Sequence, residues 1–156
     1  MALEDLYQEL IIDHGTQPRN CCALNNANGT AQGFNPLCGD KVQIYLNIEN
    51  GVIQNATFTG SGCAISTASA SLMTEALIGK TLDAVMNLST CFKALLTTEC
   101  QSSSSETEDL HVTLGKLAAF SGVKAFPARV KCATLAWHTL QAAIQQVPNP
   151  VSTETP

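Results

Sequence analysis

Three cysteines and an aspartate in this chain are donor types that one soft metal ion could share. They are Cys38 and Asp40 in Asn35-Pro36-Leu37-Cys38-Gly39-Asp40, Cys63 in Gly60-Ser61-Gly62-Cys63-Ala64-Ile65-Ser66, and Cys132 in Arg129-Val130-Lys131-Cys132-Ala133-Thr134. No two of these cysteines are close in sequence, so only a fold can bring them together. Together they make a thiolate-rich pocket with one oxygen ligand, suited to zinc, iron or sulfur chemistry. Cys38 and Asp40 stand at i and i+2, which on an extended backbone puts both side chains on one face, with Gly39 removing bulk beside an ion. Cys63 follows a glycine-flanked turn at a predicted helix start, and Cys132 falls in the early turns of another helix. Positions near helix N-termini favour the thiolate, the form that binds metal and acts as nucleophile.

A divalent ion held this way carries about −2 net charge by formal counting, which the adjacent Lys41, Arg129 and Lys131 can offset. Carboxylate is the harder and weaker partner for zinc or ferrous iron, so it marks the more exchangeable edge of such a site. A structural zinc knot uses four Cys or His, usually in closely spaced pairs. The chain has no CxxC at all, which also removes thioredoxin-like and zinc-deaminase chemistry. The competing reading of isolated cysteines is plain packing, since free Cys fills cores well. Cys91 is read that way, as core or boundary packing, while Cys21 and Cys22 in a polar loop are incidental and Cys100, bordering the Ser-rich stretch, is an exposed spare thiol. His14 lies near a helix end, where a protonated ring would suit the dipole, while His111 and His138 read as structural or solvent-facing. Gly60-Ser61-Gly62 lacks the third glycine of a dinucleotide fingerprint.

The elements that must position these residues are legible in the periodicity. Leu3, Leu6, Tyr7, Leu10 and Ile11 recur at helical spacing until Gly15 and Pro18. A polar stretch to Gly33 predicts turns around a short edge strand. Val42 to Ile48 alternates, Asn50-Gly51 signals a type I′ hairpin, and Val52 to Thr59 is the return strand. A helix from Cys63 to Ile78 is stopped by Gly79, and Thr81 caps the next one, with Asp83 favourable in its first turn. Gln101 to Glu106 predicts a mobile surface loop, Leu110 to Phe120 a short helix, and Pro127 the first residue of a final helix.

At 156 residues, 45% hydrophobic and 13% charged, the chain fits one globular domain, 1–147, with a disordered tail at 148–156. A net charge of −5 argues against nonspecific nucleic-acid binding. No apolar run approaches the ~20 residues of a membrane span, and the acidic N-terminus lacks the features of a signal peptide. The expected location is cytoplasmic, where an odd set of seven irregularly spaced cysteines does not form a disulfide scaffold.

The three cysteine motifs, in this order and in register from about Asp13-His14 and Pro18-Arg19-Asn20 to Trp137, closely resemble the NifU N-terminal/IscU superfamily, and most of all its SufU branch. The resemblance implies an α+β fold, a small antiparallel sheet of about three strands packed against several helices with a long C-terminal helix. It implies iron–sulfur cluster assembly, with Cys38, Asp40, Cys63 and Cys132 as metal ligands. Two details point to the branch. Lys131 stands where IscU-type scaffolds place a histidine, and the segment with Leu114-Gly115-Lys116-Leu117 and Phe126-Pro127-Ala128-Arg129 resembles the SufU insertion.

SufU-type proteins bind zinc and take persulfide sulfur from a PLP-dependent cysteine desulfurase of the SufS type. They activate that partner rather than work as stand-alone enzymes. On this resemblance Cys38 is the sulfur acceptor, freed when a desulfurase ligand displaces it from zinc, and Arg129 contacts the desulfurase or Asp40. Two alternatives follow from the same relatives: a scaffold assembling a [2Fe–2S] cluster on these cysteines, and a degenerate member whose zinc is purely structural.

Overall fold

The structure, a computed structural model, describes residues 3–97, 114–145 and 151–152. Cys100, His111, the Ser-rich stretch 101–106 and tail residues 148–150 and 153–156 lie outside the described residues.

Helix α1 (Leu3–Thr16) leads into a meander of β1 (Gly29–Asn35), β2 (Asp40–Glu49) and β3 (Val52–Ser61), followed by α2 (Ala64–Leu77) and α3 (Leu82–Thr97). A 3₁₀ helix (Gly115–Ala125), α4 (Pro127–Gln145) and a two-residue β4 (Val151–Ser152) complete the order. The antiparallel three-strand meander, the helices against it and the long last helix are the expected α+β architecture. Val151–Ser152, within the stretch expected to be disordered, add a short parallel strand beside Gly33 and Phe34.

The hairpin forms as its turn chemistry requires. Asn50 and Gly51 both take positive φ, 55° and 74°, the type I′ geometry whose twist matches the flanking strands. On β1 the inward positions are Gly29, Ala31, Gly33 and Asn35. This strand carries no large apolar signal because α4 lies almost on its backbone. A Cβ at Gly33 would run into Thr139 Oγ1, and one at Gly29 would stand 3.0 Å from the Ala143 carbonyl oxygen. The strand is therefore longer than its sequence suggested.

The segment before α4 also departs from expectation. A short α-helix ending near Gly122 was anticipated, but Gly115–Ala125 winds as a 3₁₀ helix past that glycine. Leu114, Leu117, Phe120 and Val123 recur every third residue and are all buried. Three residues per turn stacks them into one row against the core.

The helices cover one face of the sheet. Trp137 on α4 is fully buried and stacks on Phe92 of α3 at 4.6 Å between ring centroids, and Phe120 meets Phe92 edge-on. The indole N–H donates to Ser69 Oγ, which donates to the Ala133 carbonyl, so a polar bridge ties α2 to α4 inside the apolar layer.

His14 is buried, only 2% exposed, which corrects the picture of a protonated helix-end residue. Ser71 Oγ accepts the Arg19 N–H at 2.8 Å and lies 2.7 Å from His14 Nδ1. Burial holds the His14 pKa below its ordinary 6.5, helped by Arg19 and Lys116 and opposed by Glu75 and Asp13. A neutral buried imidazole makes folding favourable above its unfolded pKa and is penalised as pH falls below it. His138, though exposed on α4, shifts the same way, through partial desolvation first and then Lys93. We expect the urea midpoint to fall as pH drops below 6.5. His14→Asn, which can keep the bond to Ser71, should flatten that fall, and adding His138→Asn should flatten it further. An unchanged pH slope in the double variant would contradict the assignment.

Candidate metal centre

The β1–β2 turn, the β3–α2 junction and the early turns of α4 meet at one end of the sheet, and each delivers a donor. Cys38 sits in the turn at residues 36–39, where the N–H groups of Cys38 and Gly39 bond back to the Asn35 carbonyl. The turn, rather than an extended run, brings Cys38 beside Asp40. Gly39 serves that turn through its φ of 73°, and a Cβ there would meet no protein atom within 4 Å. Gly62 is the glycine required for space. A Cβ on it would collide with Asp40 Oδ1 and stand 3.0 Å from Asp40 Cγ. From sequence alone Gly62 is only part of a glycine-flanked turn.

Asp40 opens β2 with its carboxylate fully buried, and Oδ1 accepts the Cys63 N–H at 2.8 Å. Cys63 is the N-cap of α2, its Sγ accepting the Ser66 N–H, and the sulfur lies 3.9 Å from Asp40 Oδ2. Cys132 is fully buried on α4, and its Sγ lies 3.4 Å from Cys38 Sγ.

The donor atoms of Cys38, Asp40 and Cys132 come within 4.8 Å of one another, while Cys63 adjoins this triangle on the Asp40 side. A tetrahedral ion with bonds near 2.3 Å separates its ligands by about 3.5–3.8 Å. The 3.4 Å and 3.9 Å separations bracket that edge, so Cys38, Asp40 and Cys132 suit a small soft cation, while Cys63 stands beside Asp40 but outside the group of donors within 4.8 Å of one another.

The electrostatics agree with the geometry. The Cys132 thiol is pushed well above the ordinary thiol range by burial first, then by hydrogen bonds to Asp40 and Cys38 and by the neighbouring Cys63. Without a metal, burial and these neighbours set Cys132 against the thiolate form that its helix position was expected to favour. Left to itself the cluster keeps that proton; a cation reverses the balance by deprotonating the thiols that bind it.

Arg129 is exposed at the start of α4, and Cys63, Cys132 and Cys38 hold its guanidinium above its usual pKa. Lys41, expected to offset charge, is exposed on a strand whose alternation turns it away from buried Asp40. Asn35 went unnoticed as a site residue. It is fully buried, accepts the Leu37 N–H on Oδ1, and points Nδ2 at Asp40 Oδ2 and Cys132 Sγ, at 3.4 Å and 3.5 Å. An inward polar position paired across the ladder with Asp40 was the available signal. Cys21 and Cys22 are exposed, while Cys91 is half-buried against the core. His138 lies on α4.

No described helix is long and apolar enough to cross a membrane. The chain is 37% identical over 142 residues to the zinc-dependent sulfurtransferase SufU of Bacillus subtilis, covering 91% of each protein. It is 35% identical over 150 residues to the iron–sulfur cluster assembly scaffold protein IscU of Thermotoga maritima, covering 96% of this chain and all of that one. The crystal structure of a putative iron–sulfur cluster assembly scaffold protein for the SUF system from Fervidobacterium islandicum superposes with a TM-score of 0.78 at 31% identity, over 92% of this chain and 99% of that one. Residues 6–133 match the NifU-like N-terminal domain, and with that match the chain belongs to this family.

Proposed function

We propose that this protein holds zinc on Cys38, Asp40, Cys63 and Cys132 and accepts sulfur from a PLP-dependent cysteine desulfurase in cytoplasmic iron–sulfur cluster biogenesis. The reading is carried by the asymmetry of the donors: Cys38 is exposed on a turn, whereas Asp40 and Cys132 are fully buried. Only a donor at the surface can leave the set and meet a partner without opening the core. The name of the Bacillus subtilis relative points the same way.

When bound, zinc supplies a redox-silent Lewis acid that keeps the thiols deprotonated without oxidising them. The chain's own residues do the rest. Asp40, Cys63 and Cys132 stay in place through the Cys63 N–H bond to Asp40 and the burial of Cys132. The Cys38 thiolate attacks the terminal sulfur of the desulfurase persulfide. A new S–S bond forms at Cys38, the old one breaks, and the desulfurase cysteine leaves as its thiolate, so no external oxidant or reductant is consumed. Arg129, exposed beside the three sulfurs, offers its charge to the incoming persulfide.

One purified sample tests this. About one zinc per chain, with sulfide release by a cognate desulfurase in the presence of a thiol reductant stimulated in a way that disappears on zinc removal, is the expected result. Zinc without any stimulation would leave the metal a purely structural role. A second reading has support in the IscU relatives, which are nearly as similar. A stable [2Fe–2S] chromophore on anaerobic reconstitution, in place of tightly held zinc, would favour that scaffold role; Lys131, standing where scaffolds carry histidine, argues for zinc.

A further inference from the structure

We infer that Asn35 is a positioning residue of the metal centre: its buried amide donor keeps Asp40 and Cys132 on the ion while Cys38 is free to leave. The inference rests on the zinc reading above and deepens it.

Asn35 is the last residue of β1 and pairs directly with Asp40 across the β1–β2 ladder. Because strand side chains alternate, both point inward, and both are fully buried. The amide's orientation follows from its partners. Oδ1 accepts the Leu37 N–H at 3.2 Å, which leaves Nδ2 facing Asp40 Oδ2 and Cys132 Sγ. The backbone carbonyl of the same residue accepts the N–H groups of Cys38 and Gly39. One residue therefore shapes the turn that presents Cys38 and also donates toward the two buried donors.

That donor answers a charge problem. Three thiolates and a carboxylate around a divalent ion leave about −2 formal charges in a partly buried place. Arg129 reaches Cys132 from an exposed position and Lys41 is turned outward, so neither charge is buried beside Asp40. A neutral amide in the interior disperses negative charge without bringing a charge that would itself need desolvating. It faces the buried pair, Asp40 Oδ2 and Cys132 Sγ. Outer partners of this kind orient ligands and hold the metal, and their loss typically costs about 10–100-fold in affinity.

Two substitutions separate the turn role from the donor role. Asn35→Ser keeps a short oxygen that can accept the Leu37 N–H but cannot reach Asp40 or Cys132; Asn35→Ala removes both. The full-length zinc-loaded proteins are titrated against a chromophoric chelator and melted with and without metal. They are also treated with iodoacetamide, and the labelled cysteines are mapped by mass spectrometry.

Both variants should bind zinc about 10–100-fold more weakly. Metal-free Asn35→Ser should melt where the metal-free parent does. Cys132, unlabelled in the zinc-loaded parent while exposed Cys38 reacts, should become labelled in the variants. Parental zinc affinity in Asn35→Ser overturns the inference, even if Asn35→Ala binds poorly, because only the turn would then matter. A metal-free Asn35→Ser whose melting falls by the whole deficit overturns it too, making Asn35 a packing residue. A parent that takes up no zinc overturns the metal reading itself and this inference with it.

Discussion

Cys38→Ala is expected to return sulfide release to the level of the desulfurase alone, a fall on the order of 100-fold in the stimulated component. The substitution removes the atom that forms the new S–S bond, and nothing else on the surface of the site replaces it. Cys132 is buried behind it, and Cys63 is engaged as the N-cap of α2. Because Cys38 is exposed, the metal-free fold should change by no more than about 0.5 kcal/mol. Zinc should persist more weakly on Asp40, Cys63 and Cys132. Lost stimulation with an unchanged metal-free melting curve is therefore the signature of a nucleophile. Full stimulation in Cys38→Ala would remove the acceptor role outright, and Cys91→Ala, away from the site, is the matched control for thiol loss.

Gly62→Ala should do comparable damage with a single methyl group. The new Cβ falls on Asp40 Oδ1, the atom that accepts the Cys63 N–H, and lies 3.1 Å from Asp40 Cα. Since that contact includes backbone, the strand start cannot step aside without disturbing the turn that carries Cys38. Overpacking of this kind costs about 1–3 kcal/mol. Displacing the carboxylate should also lower zinc affinity at least about tenfold. Gly39→Ala is the informative comparison. Its φ of 73° strains any other residue, yet its Cβ would occupy open space. It should lose about 1 kcal/mol of stability and far less metal affinity. Chelator competition and melting on both variants separate the two cases; equal metal affinities would refute the role given to Gly62.

The contrast between these two glycines reflects what each level of description can resolve. Chemical identity and periodicity are local properties, so they can be read along the chain. The Asn50-Gly51 hairpin, the glycine after α2, the Thr81 cap and Pro127 at the head of α4 each act within a few residues and stand where the pattern placed them. The three cysteine motifs were legible for the same reason, since each is a short run of unusual residue types.

What the residue order could not express is distance between segments. β1 was under-read because its inward residues are small to let α4 approach, a fact about α4 rather than about β1. The 3₁₀ turn was misread as α-helix because a three-residue apolar row has meaning only against the core it packs on. The proton on Cys132, the neutrality of His14 and the inward amide of Asn35 all depend on burial and on partners dozens of residues away. The sequence by itself determined which atoms can bind and where the helices and hairpin begin. The tertiary structure alone decided which donor is exposed and which are sealed in, because desolvation and close contact are set by whatever the fold lays alongside.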